Sequence, residues 1–160
     1  MSKKLVAYFS ASGITADAAK KLAKAAEADL YEIKPEVPYT KDDLNWIDEN
    51  ARTTFEMNSR SYRPAIADRD ANIKMYDVIF VGFPIWWHVA PTIINTFLES
   101  YDFSEKTVIL FATSGGSGFG KTVAELKGSV GDSTVIREGK LINSSEDVAS
   151  LKEWVATLRL

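Results

Sequence analysis

The sequence predicts an α/β three-layer sandwich: a five-stranded parallel sheet in the doubly wound order 2-1-3-4-5, with a helical insert after the second strand. Three observations carry this reading. Apolar runs at Leu5–Phe9, Tyr76–Phe83 and Val108–Ala112 lack polar alternation, so each reads as a strand buried on both faces. Amphipathic stretches alternate with the strands, which implies right-handed parallel crossovers. An unusual loop follows each apolar run: Ser10–Thr15, Pro84–His88 and Thr113–Gly120. In the order 2-1-3-4-5 these loops meet at the carboxyl edge of the sheet, where ligands of such folds sit.

The elements follow in order. Lys4–Phe9 is the first strand. Thr15–Glu27 is a helix with Ala16, Ala19, Leu22, Ala23 and Ala26 on one face. Asp29–Ile33 is a short second strand, ended by Pro35 and Pro38. Residues of about 35–75 form the insert. Within it Thr40, Asp42 and Asp43 look like a helix start, with Leu44, Ile47, Ala51, Thr54 and Phe55 facing inward. Connections in α/β units usually run about 2–6 residues, so an excursion this long is either a functional lid or a cover for the sheet edge.

Tyr76–Phe83 is the third strand. The helix after it has Pro91 near its first position and Ile94, Phe97 and Leu98 inward. Val108–Ala112 is the fourth strand, and a helix over about 121–127 follows. Asp132–Leu141 is a fifth strand interrupted at Gly139. Ser145–Leu158 closes the chain as a helix capped by Ser144 or Ser145, with Val148, Leu151, Trp154, Val155 and Leu158 inward; Trp154 is read as packing. The whole of 1–160 reads as one domain, without repeats or linkers.

Composition narrows the function classes. With 46% apolar and 26% charged residues the chain has the makeup of a soluble globular protein. A net charge of -3 and no Lys/Arg cluster argue against nucleic acid. The absence of cysteine excludes disulfides, thiolate metal sites and cysteine nucleophiles, and a single histidine, His88, excludes a histidine-rich metal site. No apolar run reaches membrane-spanning length and no signal-peptide pattern opens the chain, so no membrane partner and a cytoplasmic location are expected.

Each loop brings its own chemistry. Ser10, Ala11, Ser12, Gly13, Ile14 and Thr15 place three hydroxyls and a flexible glycine at a helix start, where free N–H groups and the helix dipole favour an anion. An ordinary N-cap would use the same residue types. Pro84, Ile85, Trp86, Trp87 and His88 put two indoles at the rim of the sheet, either against a flat ligand or under the insert. His88 is either a hydrogen-bonding group there or a loop histidine without a role. Thr113, Ser114, Gly115, Gly116, Gly118 and Phe119 belong to a loop whose glycines would bring bare backbone amides to a ring edge.

On these residues the chain resembles the flavodoxin-like FMN-binding family. Ser10-Ala11-Ser12-Gly13-Ile14-Thr15 matches its hydroxyl-x-hydroxyl-Gly-x-Thr phosphate loop, and the likeness spans essentially the whole chain. Tyr39-Thr40-x-x-Asp43-Leu44-Asn45-Trp46, Arg63-Pro64-Ala65-Ile66, Pro-Ile-Trp-Trp and Thr-Ser-Gly-Gly-Ser-Gly are similar to a short flavodoxin-like branch. The resemblance implies bound FMN, with the phosphate on Ser10–Thr15, Pro84–His88 flanking the flavin with Trp86 or Trp87 stacked on it, and Thr113–Gly116 along its polar edge. It implies electron transfer, either as a carrier serving a redox partner protein or as a small oxidoreductase acting on a small-molecule electron acceptor. An NAD(P)H-dependent quinone-type reductase is the alternative within the family.

Two departures shape the expectation. Carrier flavodoxins are strongly acidic around the flavin, whereas the second and third loops here hold no carboxylate, which implies weak steering of cationic partners and a less negative potential. The glycine that flips its peptide in many flavodoxins is missing from Trp86-Trp87-His88, which implies weaker support for the one-electron state.

Two other classes are weighed. A phospho-acceptor receiver needs aspartates at the ends of strands one and three, where Ser10 and Pro84 stand. Gly115–Thr122 satisfies G-x-x-x-x-G-K-[ST], the phosphate loop of nucleotide triphosphatases, between a strand and a helix. That chemistry also needs a Mg²⁺-positioning Asp at another strand end, and none is present. Lys121 and Thr122 then read as the first turn of a helix.

Overall fold

A computed structural model describes residues 3–45, 47–114, 118–143 and 145–160. The strands are β1 (Lys4–Tyr8), β2 (Asp29–Glu32), β3 (Val78–Pro84), β4 (Thr107–Thr113) and β5 (Val135–Leu141). The helices are α1 (Ile14–Ala26), α2 (Arg52–Asn58), α3 (Thr92–Glu99), α4 (Thr122–Lys127) and α5 (Val148–Thr157). All strand pairs are parallel and the order is β2-β1-β3-β4-β5, as the sequence predicts.

Strand periodicity divides the core. Leu5, Ala7, Ile79, Val81, Val108 and Leu110 point to one face and pack with Ile93, Ile94, Phe97, Leu98 and Leu126 from α3 and α4. Val6, Tyr8, Phe80, Ile109 and Phe111 point to the other and pack with Leu22 of α1 and Leu151 of α5. Nearly every residue of β3 and β4 is buried, which is why these runs carry no polar alternation. The expected interruption at Gly139 is a register shift, with Leu110 opposite Glu138 and Phe111 opposite Lys140.

Three sequence expectations need correction. Among the described residues the insert's one α-helix is α2, with a 3-10 turn at Ile73–Met75; around α2 the buried side chains are Ala51, Thr53, Glu56 and Met57, whereas Ile47 and Phe55 are exposed. Thr40 and Asp43 do cap each other's amides reciprocally. Asn45 and Asp48 then accept from the backbone N–H two residues on, at 3.3 and 2.9 Å to Ile47 and Asn50, and these Asx turns compete with a continuing helix. In α1 Ala16 is only half-buried, while Ala18 and Ala25 join the core.

Helix α5 starts at Val148 rather than Ser145, because Asp147 and Ser150 form a capping box: Asp147 accepts from the Ser150 amide and Ser150 from the Asp147 amide. Ser145 instead donates to Asn143, and Ser144 lies outside the described residues. Only Leu151 of the expected inner stripe is fully buried. Trp154 packs edge-on against Phe80 at 6.1 Å, the packing role the sequence suggests.

The two ends of the insert meet in a bridge between Pro35 and Ile66, with Glu36 donating to the Ala65 carbonyl and Ala67 to that of Lys34. Inside it the Tyr39 hydroxyl donates to the buried carboxylate of Glu56, and Arg52 lies 3.8 Å from the Tyr39 ring centroid and 3.0 Å from Glu56. Burial, reinforced by the Glu56 carboxylate, pushes the Tyr39 phenol well above its ordinary value. Arg60 bonds the Ala90 carbonyl at 3.1 Å and Arg63 bonds Glu99 at 2.9 Å, tying the insert to the α3 side.

Candidate functional site

The carboxyl ends of β1, β3 and β4 open into the three loops singled out above. In the first, Gly13 takes φ 94, a left-handed conformation, and is the N-cap of α1 with no side chain capping the helix. The Gly13 amide instead donates to Ser10 Oγ at 3.0 Å, which rounds the loop ahead of the helix. Ser12, Gly13 and Ile14 are exposed, while Ser10 and Ala11 are half-buried. The helix start therefore offers its first-turn amides without a capping carboxylate or hydroxyl, as an anion site requires.

Thr15 turns inward. Its hydroxyl meets that of Thr113 at 2.7 Å, and both residues are buried. This bond runs from the first turn of α1 to the end of β4, so the first and third loops share one fixed point.

The second loop is a two-residue turn. Trp86 and Val89 exchange backbone hydrogen bonds of 3.0 and 3.1 Å, and between them Trp87 and His88 both take positive φ, 48 and 69. Two left-handed residues make this a type I′ geometry, which normally calls for Gly or Asn. Large L-residues there cost about 1–2 kcal/mol each. Strain of this kind collects at functional sites.

The turn separates the tryptophans that the sequence alone leaves equivalent. Trp86 packs edge-on against Phe9 at 5.7 Å and Tyr39 at 5.5 Å, under the insert. Trp87 points out and is 42% exposed. Trp86 thus follows the packing reading, and Trp87 is the ring available to a ligand. His88 is exposed at the tip.

In the third loop Thr113 closes β4 and Phe119 is buried edge-on against Phe83 at 6.4 Å. A ligand at this loop would meet Phe119 through its backbone. Gly118 is exposed, and Gly115 and Gly116 lie outside the described residues. Sequence reasoning missed Gly120, which takes φ 55 and lies so close to the second loop that a Cβ there would come 2.3 Å from the His88 carbonyl oxygen. Its position as the last glycine before α4 is the available signal, absorbed by the nucleotide-loop pattern. The structure does not support that pattern: Thr122 is fully buried and donates its hydroxyl to the Phe119 carbonyl. Among the described residues no group of three or more His, Cys, Asp or Glu could hold a metal ion.

No Asp or Glu occurs in any of the three loops. The first loop offers amides and hydroxyls, the second an exposed indole, and the third meets the first at Thr15–Thr113 and the second at Gly120–His88. Together they suit a ligand with an anionic tail and a flat ring.

Fold and loops together define a doubly wound α/β protein whose switch point lies between β1 and β3, the place where such folds bind ligands. The chain belongs to the flavodoxin family, an FMN-binding family, whose model matches residues 3–158. Among solved structures it is similar to a candidate flavoprotein from Bacteroides eggerthii, at 46% identity and TM-score 0.93, covering 100% of this chain and 99% of that one. A second candidate flavoprotein, from Bacteroides uniformis, is 44% identical with TM-score 0.90 over 97% of this chain and 98% of that one. A Lactobacillus acidophilus flavoprotein in complex with FMN shares the fold at 23% identity and TM-score 0.72, covering 97% and 99%. No curated protein matches the chain. No helix among the described residues is long and apolar enough to cross a membrane.

Proposed function

We propose that residues 1–160 form one FMN-binding domain that carries electrons to a small-molecule acceptor. The observation that supports it most is the meeting of an uncapped α1 start, an exposed Trp87 and the Thr113–Gly120 loop at one sheet edge. FMN supplies the redox chemistry when bound. The chain's own part is to bind, orient and shield. The amides of Ser12, Ile14 and Thr15, with the hydroxyls of Ser10 and Ser12, hold the phosphate, and left-handed Gly13 bends the loop around it. Trp87 stacks on the ring system, with Pro84, Ile85 and the His88 backbone beside it. Thr113, Ser114, Gly115, Gly116, Gly118 and the Phe119 backbone border the polar edge. Thr15 fixes the first loop to Thr113 and Trp86 supports the turn from beneath.

The family also contains carriers that serve a protein partner. The absence of carboxylates from the three loops favours an oxidoreductase acting on a small acceptor over such a carrier. The purified protein is expected to be yellow and to release FMN on acid denaturation. Steady reduction of a quinone by NADPH with this protein alone supports the oxidoreductase reading. Turnover only after addition of a separate reductase supports the carrier, and a colourless protein that takes up no FMN overturns both.

A further inference from the structure

We propose that the insert is a brace for the Trp87 turn, with Tyr39 and Arg60 as positioning residues that present the Trp87 ring to the flavin. This rests on the reading of Trp87 as the stacking ring and adds the element that keeps it in place. The turn needs one. Trp87 and His88 stand at φ 48 and 69, a region that large L-residues avoid. Both central residues are biased against the conformation they adopt, so contacts from outside the turn must hold it.

The insert grips the turn at both ends. At the entrance, the Tyr39 ring lies edge-on to that of Trp86 at 5.5 Å, and its hydroxyl donates to the buried Glu56 carboxylate of α2. Arg52, 3.0 Å from Glu56 and 3.8 Å from the Tyr39 ring centroid, fixes the phenol further. At the exit, Val89 closes the turn and Ala90 follows it, and the Ala90 carbonyl accepts from Arg60 at 3.1 Å. That guanidinium is itself held, with Nε 3.7 Å from the Glu125 carboxylate of α4 and Nη1 3.6 Å from Met57 Sδ. The insert has other ties, the Pro35–Ile66 bridge and the Arg63–Glu99 pair, which involve no residue of the turn.

The consequence for binding is a population effect. When the turn relaxes, only the fraction that still presents Trp87 can stack on the flavin, and the apparent affinity falls by that fraction. One hydrogen bond such as Arg60 to Ala90 shifts such a balance about fivefold. The loss should therefore appear only where Trp87 is there to be positioned.

A double-mutant cycle with Trp87→Ala tests this, with FMN titrated into the apoprotein. Arg60→Met and Tyr39→Leu should each weaken FMN about fivefold alone, and by less than about twofold once Trp87 is alanine. Where Tyr39→Leu is too unstable to purify, Arg60→Met carries the test. Arg60→Met should weaken riboflavin by the same factor as FMN, because the phosphate end is untouched. The emission of its bound FMN should rise toward that of the Trp87→Ala protein, since a stacked indole quenches flavin fluorescence. Tyr39→Phe, which keeps the ring against Trp86, should bind FMN like wild type even where it loses stability. Glu99→Gln, which cuts a tie of the insert that bypasses the turn, should do the same.

An Arg60→Met protein that binds FMN like wild type, or losses that add in full to that of Trp87→Ala, would overturn the proposal. So would a Glu99→Gln protein that loses FMN as far, since any tether of the insert would then serve. Wild-type affinity in Trp87→Ala would overturn the stacking assignment and this inference with it. A chain that takes up no FMN would overturn the flavin reading itself.

Discussion

Gly120→Ala is the sharpest perturbation of the contact between the second and third loops. The new Cβ would stand 2.3 Å from the His88 carbonyl oxygen, a backbone atom that cannot rotate aside. Reaching ordinary contact requires the turn or the loop to move by roughly 1 Å. Gly120 also sits at φ 55, where an L-residue costs about 1–2 kcal/mol, and overpacking adds roughly 1–3 kcal/mol. The combined loss of about 2–5 kcal/mol corresponds to a fall in Tm of roughly 4–20 °C for a domain of this size. Because the displaced atom belongs to the Trp87–His88 turn, FMN affinity should fall as well. Gly118→Ala is the control within the same loop: no atom lies within 4 Å of its added Cβ and its φ is not left-handed, so Tm should shift by no more than about 2 °C. Thermal unfolding followed by circular dichroism reads the stability and flavin fluorescence reads the affinity. A Gly120→Ala protein that melts and binds like wild type, or a Gly118→Ala protein that falls as far, would refute the reasoning.

The remaining predictions test other joints of the site. Thr15→Val leaves the buried Thr113 hydroxyl without its 2.7 Å partner and should cost about 1–2 kcal/mol; the Thr15→Val/Thr113→Val protein should recover part of it, and an additive double loss would contradict the shared bond. Trp87→Ala should weaken FMN at least tenfold with little change in Tm, whereas Trp86→Ala should cost roughly 2–4 kcal/mol of stability, since only Trp86 packs against Phe9 and Tyr39. The reverse pattern would exchange their roles. The hydrogen bond from Tyr31, with a further one from the Asp70 amide, holds the Asp68 carboxyl below its ordinary value of 3.8. A depressed folded pKa stabilises the protein above the unfolded value, and that contribution fades as pH falls from about 3.8 through the folded value. Tyr31→Phe should raise the Asp68 pKa, read by carboxyl NMR, and reduce the stability lost in that acid window.

The sheet was legible because its central strands are buried on both faces: the runs at 5–9, 76–83 and 108–112 admit no other reading of comparable length. Gly139 marked the irregularity in β5 correctly. The insert was harder to read. Its acidic and amide residues satisfy helix-start rules at Thr40–Asp43, yet Asn45 and Asp48 turn back onto their own backbone, and that competition is settled by local geometry rather than periodicity. The start of α5 moved for a related reason, since several hydroxyl and acidic residues in a row can each cap a helix and only Asp147 pairs reciprocally with Ser150. At the site, sequence placed both tryptophans at the rim but could not divide their roles. Adjacent residues diverge only once backbone dihedrals are known, and left-handed Trp87 and His88 defy residue preference. Gly120 escaped notice because its requirement comes from a carbonyl more than thirty positions away.

The central claim is that the Ser10–Thr15 loop holds the phosphate of FMN. Titrating the apoprotein with FMN and with riboflavin, which lacks the phosphate, tests it most directly, with Ser12→Asp alongside. Wild type should bind one FMN per chain at least ~100-fold more tightly than riboflavin, the contribution of several charge-assisted hydrogen bonds. Ser12→Asp should weaken FMN by at least ~10-fold through like-charge repulsion and leave riboflavin almost unaffected. Equal affinity for the two flavins, or an FMN affinity indifferent to Ser12→Asp, would contradict the assignment and leave the loop an ordinary helix start.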